Sequence, residues 1–286
     1  MNNKANMKIT FIGGGNMATA LIAGLAGQLA AGADIHVVDP NAAQLARLAA
    51  EYGVTTAHTI GAQALACDVI VLAVKPQQMR DVAAALQPLL QQQLAGAGPV
   101  PPLLLSIAAG IRGADLARWM KGYGAIVRSM PNMPALIGQG ITGMVAMEGV
   151  SAAQKAAADQ IMLAVGATVW LDDEALIDPV TAVSGSGPAY VFYFIEAMQQ
   201  AAQELGLSAE QGKQLALATF TGAAQLAARS PDDVAVLRER VTSKGGTTYA
   251  ALTSMEQSGV KQAIVAAIKA ASARGRELGE QMGAGD

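Results

Sequence analysis

Lys8-Ile9-Thr10-Phe11-Ile12-Gly13-Gly14-Gly15-Asn16-Met17-Ala18 is a short apolar run that ends in a glycine cluster, and its reading decides the fold. The spacing Gly13-x-Gly15-x-x-Ala18 suits a strand, a tight turn and a helix in succession. Gly13 lets the chain turn sharply off the strand. Gly15 leaves no side chain in the path of an approaching phosphate, and Ala18 is small enough for the new helix to pack closely on a sheet. A helix opening here aims its unpaired N–H groups and the positive end of its dipole at an anion. The combination is that of a cradle for a dinucleotide pyrophosphate.

Working outward, apolar runs predict strands at 8–12, 35–38, 69–74, 103–107, 125–129, 142–147 and 168–171. Helical patterns fall between several of them, at 17–30, 41–52, 77–94, 113–121 and 152–165. Near-continuous apolar strands alternating with amphipathic helices predict a mostly parallel, doubly wound α/β sheet covered on both faces, a Rossmann-like domain over 1–172. Ser151 is placed to cap the last of these helices and Gly166 to stop it, while 95–102 reads as a Gly/Pro-rich loop.

After Leu171 the strand signal disappears. Helices are expected at 189–205, 209–228, 231–241, 249–257 and 261–281, giving an all-α second domain over 173–286. Ser208 with Gln211 forms a capping-box pattern, and Ser230-Pro231 reads as another helix start. The run Tyr190-Val191-Phe192-Tyr193-Phe194-Ile195 is apolar around a full helical turn. Such a helix must be buried on all sides. Few helices surround it, so the expectation is a homodimer made mainly by this domain, with a central helix of a monomer as the other solution.

Composition bounds the function classes. The chain of 286 residues is 52% hydrophobic and only 14% charged, with a net charge of −3 and no basic block, so it carries no electrostatic footprint for nucleic acid. Cys67 is the single cysteine, which excludes an internal disulfide and gives no basis for a thiol-ligated metal site. No apolar stretch is long enough to span a membrane, and the polar start, 1–7, lacks the core of a signal peptide. A soluble, cytoplasmic protein is expected, without metal, membrane or nucleic-acid partner.

The residues that can carry chemistry sit at strand ends and in two glycine-rich loops. Asp39 closes the second strand, where a carboxylate can accept hydrogen bonds from ribose hydroxyls and repel a 2′-phosphate; Asp39-Pro40-Asn41 is also good turn chemistry in its own right. Lys75 follows the third strand in Val74-Lys75-Pro76-Gln77 and either faces the ligand crevice or simply points to water. Small residues in Ser106-Ile107-Ala108-Ala109-Gly110 allow close approach after the next strand, and Arg128-Ser129-Met130-Pro131-Asn132 follows the one after it. Ser184-Gly185-Ser186-Gly187-Pro188 and Ser243-Lys244-Gly245-Gly246-Thr247-Thr248 each offer amides, hydroxyls and a helix start. Either they bind anions or they are caps and hinges. His36 and His58 lack carboxylate partners in any relay pattern, and the second domain shows no placed base for alcohol oxidation, Lys213 being mid-helix without a supporting motif. A site with donors but no evident base suits reduction of an imine, whose protonated form already attracts hydride.

Together Ile12-Gly13-Gly14-Gly15-Asn16-Met17-Ala18, Ala73-Val74-Lys75-Pro76-Gln77, Met130-Pro131-Asn132, Ala182-Val183-Ser184-Gly185-Ser186-Gly187-Pro188-Ala189-Tyr190 and Val241-Thr242-Ser243-Lys244-Gly245-Gly246-Thr247-Thr248 resemble the Δ1-pyrroline-5-carboxylate reductase family over nearly the whole chain. The resemblance implies reduction of (S)-1-pyrroline-5-carboxylate to L-proline, with hydride passing from NADPH or NADH to the imine carbon, ring carbon C5 of the proline formed. It implies a dinucleotide held by Gly13, Gly14, Gly15, Asn16, Met17 and Ala18, by Ala73, Val74, Lys75 and Pro76, and by Ile107, Ala108 and Ala109, with Asp39 meeting the adenosine ribose or its 2′-phosphate. Ser243, Gly245, Gly246, Thr247 and Thr248 match the loop that holds the substrate carboxylate, and the Thr248 hydroxyl matches the group close to the ring nitrogen, making it the catalytic candidate. Family members form interlocked dimers, some assembled into decamers. Lys244 stands where many relatives have proline, and His58-Thr59-Ile60 where many carry a polar pair. These departures leave the choice between NADPH and NADH open.

Overall fold

The computed structural model describes residues 7–96 and 100–284; part of the 95–102 loop and most of the polar start lie outside the described residues. The first strands and helices alternate as β1 (Ile9–Ile12), α1 (Asn16–Leu25), β2 (Ile35–Val38), α2 (Ala42–Tyr52), β3 (Thr55–Ala57), β4 (Val69–Leu72) and α3 (Met79–Ala95). They continue as β5 (Leu103–Ser106), α4 (Gly113–Trp119), β6 (Ile126–Met130), β7 (Gly140–Ala146), α5 (Ala152–Leu163) and β8 (Gly166–Trp170). The eight strands form one sheet in the order β3-β2-β1-β4-β5-β6-β7-β8. Every neighbouring pair is parallel except β6 with β7.

The two-residue period of a strand explains how both faces are covered. Ile9 and Phe11, Val69 and Val71, and Leu103 and Leu105 share one apolar cluster with Leu21, Leu48 and Ile161, so α1, α2 and α5 lie on that face. The intervening Ile12, Ile70, Leu72 and Leu104 join Leu86, Leu90 and Leu116 from α3 and α4 on the other. β1, β2, β4 and β5 are buried along their whole length, which is why they read as nearly continuous apolar runs, interrupted only by Thr10, His36 and Ser106.

Ser151 and Ser208 both form capping boxes, each accepting from the amide three residues on while the glutamine there returns the bond. Several expected boundaries move. α1 stops at Leu25 rather than at 30, because the chain turns through Gly27 at φ +78. β3 is an additional strand. Between β8 and the helical region a short helix, α6 (Ile177–Val180), runs into a wide π-turn, Thr181–Gly185.

The remaining helices are α7 (Gly187–Glu204), α8 (Ala209–Arg229), α9 (Val234–Arg240), α10 (Thr247–Gln257) and α11 (Val260–Gly283). α9 starts after Asp233, not at Pro231. The described residues divide into two compact units, 7–185 with 271–284, and 186–270. The cut therefore falls later than the expected 172/173 boundary, and the end of α11 returns to the first unit. Ion pairs explain the first shift and hydrogen bonds the second. Buried Arg128 on β6 reaches Glu174 at 3.0 Å and Asp178 at 3.9 Å, tying the segment around α6 to the sheet. Arg112 and Arg118 donate to the carbonyls of Arg276 and Gly283, tying down the end of α11.

In the second unit α7 and α8 pack together, with the Phe194 and Phe220 rings 6.5 Å apart. Within α7 only Ile195 is buried, while Val191, Phe192 and Tyr193 are 41%, 51% and 72% exposed in the single chain. The apolar turn singled out in the sequence is thus left largely open to solvent.

Cys67 lies beside β4 and is only partly accessible; its S–H donates to the Ala64 carbonyl at 3.3 Å. Burial pushes the thiol up to about 11. Since the thiolate is the nucleophile, alkylation of the native protein at pH 8 is expected to be at least about tenfold slower than after denaturation. Mass spectrometry of iodoacetamide-treated samples checks this, and equal rates would contradict the buried placement.

Candidate active site

β1, β2 and β4 run parallel and end side by side at Ile12, Val38 and Leu72. The chain leaves β1 for β2 on one side and later returns to β4 on the other. This reversal of strand order opens a crevice beyond the carboxyl ends, the usual ligand position in a doubly wound sheet. The Gly13 amide donates to Val38 O and the Ala73 amide to Ile12 O, both at 2.8 Å, which extends the sheet pairing into the turn.

Two glycines of that turn differ in their reasons. Gly13 has φ +100, and a Cβ there would lie 2.6 Å from the Ala73 carbonyl oxygen, so the fold itself demands glycine. Gly15, the N-cap of α1, has φ −66 and ψ −173, which any residue can adopt. A Cβ on it would meet nothing within 4 Å. Internal packing therefore does not require glycine at 15; the open space lies on the side where a ligand approaches. The first amides of α1 lack intrahelical acceptors and no side chain caps them, leaving them to an anion.

Asp39 is fastened to this turn. Its Oδ2 accepts from the Gly14 amide at 2.7 Å and its Oδ1 from the Asn41 amide at 2.8 Å. Gln44 on α2 donates through Nε2 to the Gly14 carbonyl and to Thr19 Oγ1. Of the two readings of Asp39, the turn chemistry is present, and the carboxylate also stands on the wall of the crevice.

A cavity of about 610 Å³ occupies the crevice, within the roughly 300–1,000 Å³ range of small-molecule sites. Gly13, Gly15, Asp39, Ala73, Val74 and Lys75 are among its walls. Gly14, Asn16, Met17, Ala18 and Pro76 are adjacent in sequence but are not wall residues: the Gly14 amide is turned to Asp39, and Ala18 is buried in the core. Ile107, Ala108 and Ala109 also stand apart from this cavity, beyond the end of β5. His58, Thr59 and Ile60 after β3, and Gln78, Asp81 and Val82 at the start of α3, also line it. Of these, only the 58–60 segment was singled out in the sequence; the α3 residues follow from the same rule that placed Lys75, since the helix after a strand end faces the crevice. An open phosphate approach, a free helix start and a carboxylate on the wall fit a dinucleotide.

In the second unit, Ser243, Gly245, Gly246, Thr247 and Thr248 form one continuous loop and helix start. Gly245 has φ +74, and the Gly246 amide donates to Ser243 O at 3.0 Å, which folds the loop tightly before α10. Gly246 is the N-cap and offers no side chain, so the amides that open α10 are free for an anion. Thr248 is half-buried and Lys244 exposed. Lys213 is exposed on α8.

Two polar residues of the 128–132 segment, quoted from the sequence without a role, shape the first unit. Asn132, buried after β6, donates through Nδ2 to Ser184 O at 3.2 Å and accepts at Oδ1 from the Ile141 amide at 2.9 Å. The Ser129 hydroxyl donates to Ser106 O at 2.9 Å, fixing the strand end before Ile107. Among the described residues no group of three or more His, Cys, Asp or Glu is placed to hold a metal ion, and no helix is long and apolar enough to cross a membrane.

The family model described as "Pyrroline-5-carboxylate reductase dimerisation" matches residues 174–278, and one described as "NADP oxidoreductase coenzyme F420-dependent" matches residues 8–95. The chain is 47% identical to a pyrroline-5-carboxylate reductase of Pseudomonas aeruginosa over 96% of its own length and 98% of that protein's. With the Haemophilus influenzae protein of the same name it shares 39% over 94% and 97% of the two chains. Among solved structures, a pyrroline-5-carboxylate reductase from Coxiella burnetii superposes with a TM-score of 0.88 at 38% identity, covering 96% of this chain and 98% of that one. The Plasmodium falciparum pyrroline carboxylate reductase, solved with NADP bound, gives 0.81 at 30% identity over 96% and 98%. High identity spread over essentially the full length of these relatives, with both halves matched, shows that the chain belongs to the pyrroline-5-carboxylate reductase family.

Proposed function

We infer that this chain reduces (S)-1-pyrroline-5-carboxylate to L-proline, the last step of proline biosynthesis, as an NAD(P)H-dependent oxidoreductase of the cytoplasm. NADPH or NADH, when bound, supplies hydride to the imine carbon, which becomes C5 of proline. The amides at the start of α1, around Gly15, Asn16, Met17 and Ala18, hold the pyrophosphate, with Gly13 and Gly14 shaping the turn. Asp39 meets the adenosine ribose. Ala73, Val74, Lys75 and Pro76 line the path of the dinucleotide toward the segment of Ile107, Ala108 and Ala109. These roles belong to the first unit; substrate binding and dimerisation belong to the helical region that the 174–278 match covers.

Ser243, Gly245, Gly246, Thr247 and Thr248 receive the substrate carboxylate with backbone amides, as an uncapped helix start can. The Thr248 hydroxyl hydrogen-bonds the ring nitrogen. Because a protonated imine already carries the charge that attracts hydride, the protein's task is to bind, orient and exclude water, and no strong base is needed. A homodimer covers the exposed Val191, Phe192 and Tyr193 of α7.

The observation that carries this reading is the strand-end cavity with open space at Gly15, in a chain similar to reductases over its whole length. Adding the cyclic imine to enzyme and reduced nicotinamide should consume the nicotinamide absorbance and yield L-proline; a 3-hydroxyacid should give no turnover in the oxidising direction. The reverse pattern would overturn the assignment. Thr248→Ala is expected to lower kcat by about ten- to a hundredfold, the roughly 1–3 kcal/mol scale of a hydrogen bond to a charged group, with dinucleotide affinity nearly unchanged. Wild-type kinetics in that variant would remove Thr248 from the mechanism.

A further inference from the structure

We propose that Asp39 makes this chain prefer NADH over NADPH; this rests on reading the strand-end cavity as the dinucleotide site. Each carboxylate oxygen is held by a backbone amide, Oδ2 by Gly14 at 2.7 Å and Oδ1 by Asn41 at 2.8 Å. The side chain joins the phosphate turn to the start of α2 and cannot swing away without stranding two amides. Its charge is therefore fixed on the cavity wall.

A carboxylate oxygen has room for a second hydrogen bond, so the pinned Asp39 still accepts from the 2′- and 3′-hydroxyls of an adenosine ribose. A 2′-phosphate replaces a donor with an anion of nearly two charges and meets the carboxylate head-on. Sites that accept that phosphate place a cation beside it. Here the candidate cations are committed or distant. Arg47 on α2 pairs with Glu51 at 3.8 Å and donates to Thr19 Oγ1 and Gln44 Oε1, both at 3.3 Å, and it is not a wall residue. Lys75 follows β4, on the far side of β1 from the strand that ends at Asp39, and the same wall carries a second acid, Asp81. His58 is the other basic group of the wall.

The test is a fluorescence titration of the full chain with NADH and with NADPH at pH 8, for the wild type, Asp39→Asn and Asp39→Ser, alongside kcat/KM for both nucleotides. The wild type is expected to bind NADH about tenfold or more tightly, and both substitutions to shrink the ratio by about tenfold, as removal of a charge facing a phosphate implies. Asp39→Asn keeps the shape and one acceptor, which separates charge from folding. Equal or tighter NADPH binding by the wild type overturns the proposal and leaves the reductase reading standing, as does a ratio that neither substitution changes. Failure of both nucleotides to bind the wild type overturns the site itself.

Discussion

Gly15→Val is expected to abolish dinucleotide binding, raising Kd at least about a hundredfold, or roughly 2.7 kcal/mol, while the fold survives. The contrast rests on the space around the residue. A Cβ at Gly15 meets no protein atom within 4 Å, and its backbone angles are open to valine. The structural cost is that of a poor N-cap residue, at most about 1 kcal/mol. The branched side chain then stands where the phosphates approach the first amides of α1. Gly13→Val is the control with the opposite signature. There φ is +100 and the Ala73 carbonyl oxygen would lie 2.6 Å from the added Cβ, so that variant is expected to melt at a markedly lower temperature. Titration and thermal melts of the two proteins check the pair. Unchanged affinity in Gly15→Val would contradict the phosphate site.

The second large effect is expected from Phe192→Glu combined with Tyr193→Glu, which should convert a dimer into monomers. Both side chains are more than half exposed in the single chain, whereas Ile195 on the same helix is buried and keeps α7 in place. The family model matched over 174–278 is one of dimerisation. Burying an aromatic side chain is worth about 1.5–3 kcal/mol, and a two-fold interface uses each residue twice. Losing both therefore weakens association by at least about a thousandfold. Sedimentation velocity reads the result directly; an unchanged mass for the variant, or a monomeric wild type, would contradict the interface.

The first domain was legible because its central strands are apolar on both faces and its first turn needs glycine for two separate reasons. β3 was missed because Thr55, Thr56 and Ala57 are too few and too polar to form an apolar run; the strand exists through pairing with β2. The 177–185 segment was unreadable for a related cause. Its short helix and π-turn are held by the Arg128 ion pairs, a long-range constraint with no local pattern. The capping box at Ser208 and the cap at Ser151 were visible since their partners lie within four residues; that Gln154 closes a second box is added by the structure. Of the cavity wall, Ala73, Val74 and Lys75 were legible from their position after a strand, whereas Ile107, Ala108 and Ala109 stand apart from it, and Asp39 carried two readings. The structure shows its turn chemistry, with the carboxylate on the cavity wall, and adds the Gly14 amide, a partner that spacing could not suggest.

The most direct measurement supplies reduced nicotinamide dinucleotide deuterated at the transferring C4 position, together with pyrroline-5-carboxylate, and locates the label in the product by NMR. The expected result is L-proline carrying deuterium at C5. Label absent from proline, or found at another carbon, would contradict hydride delivery to the imine.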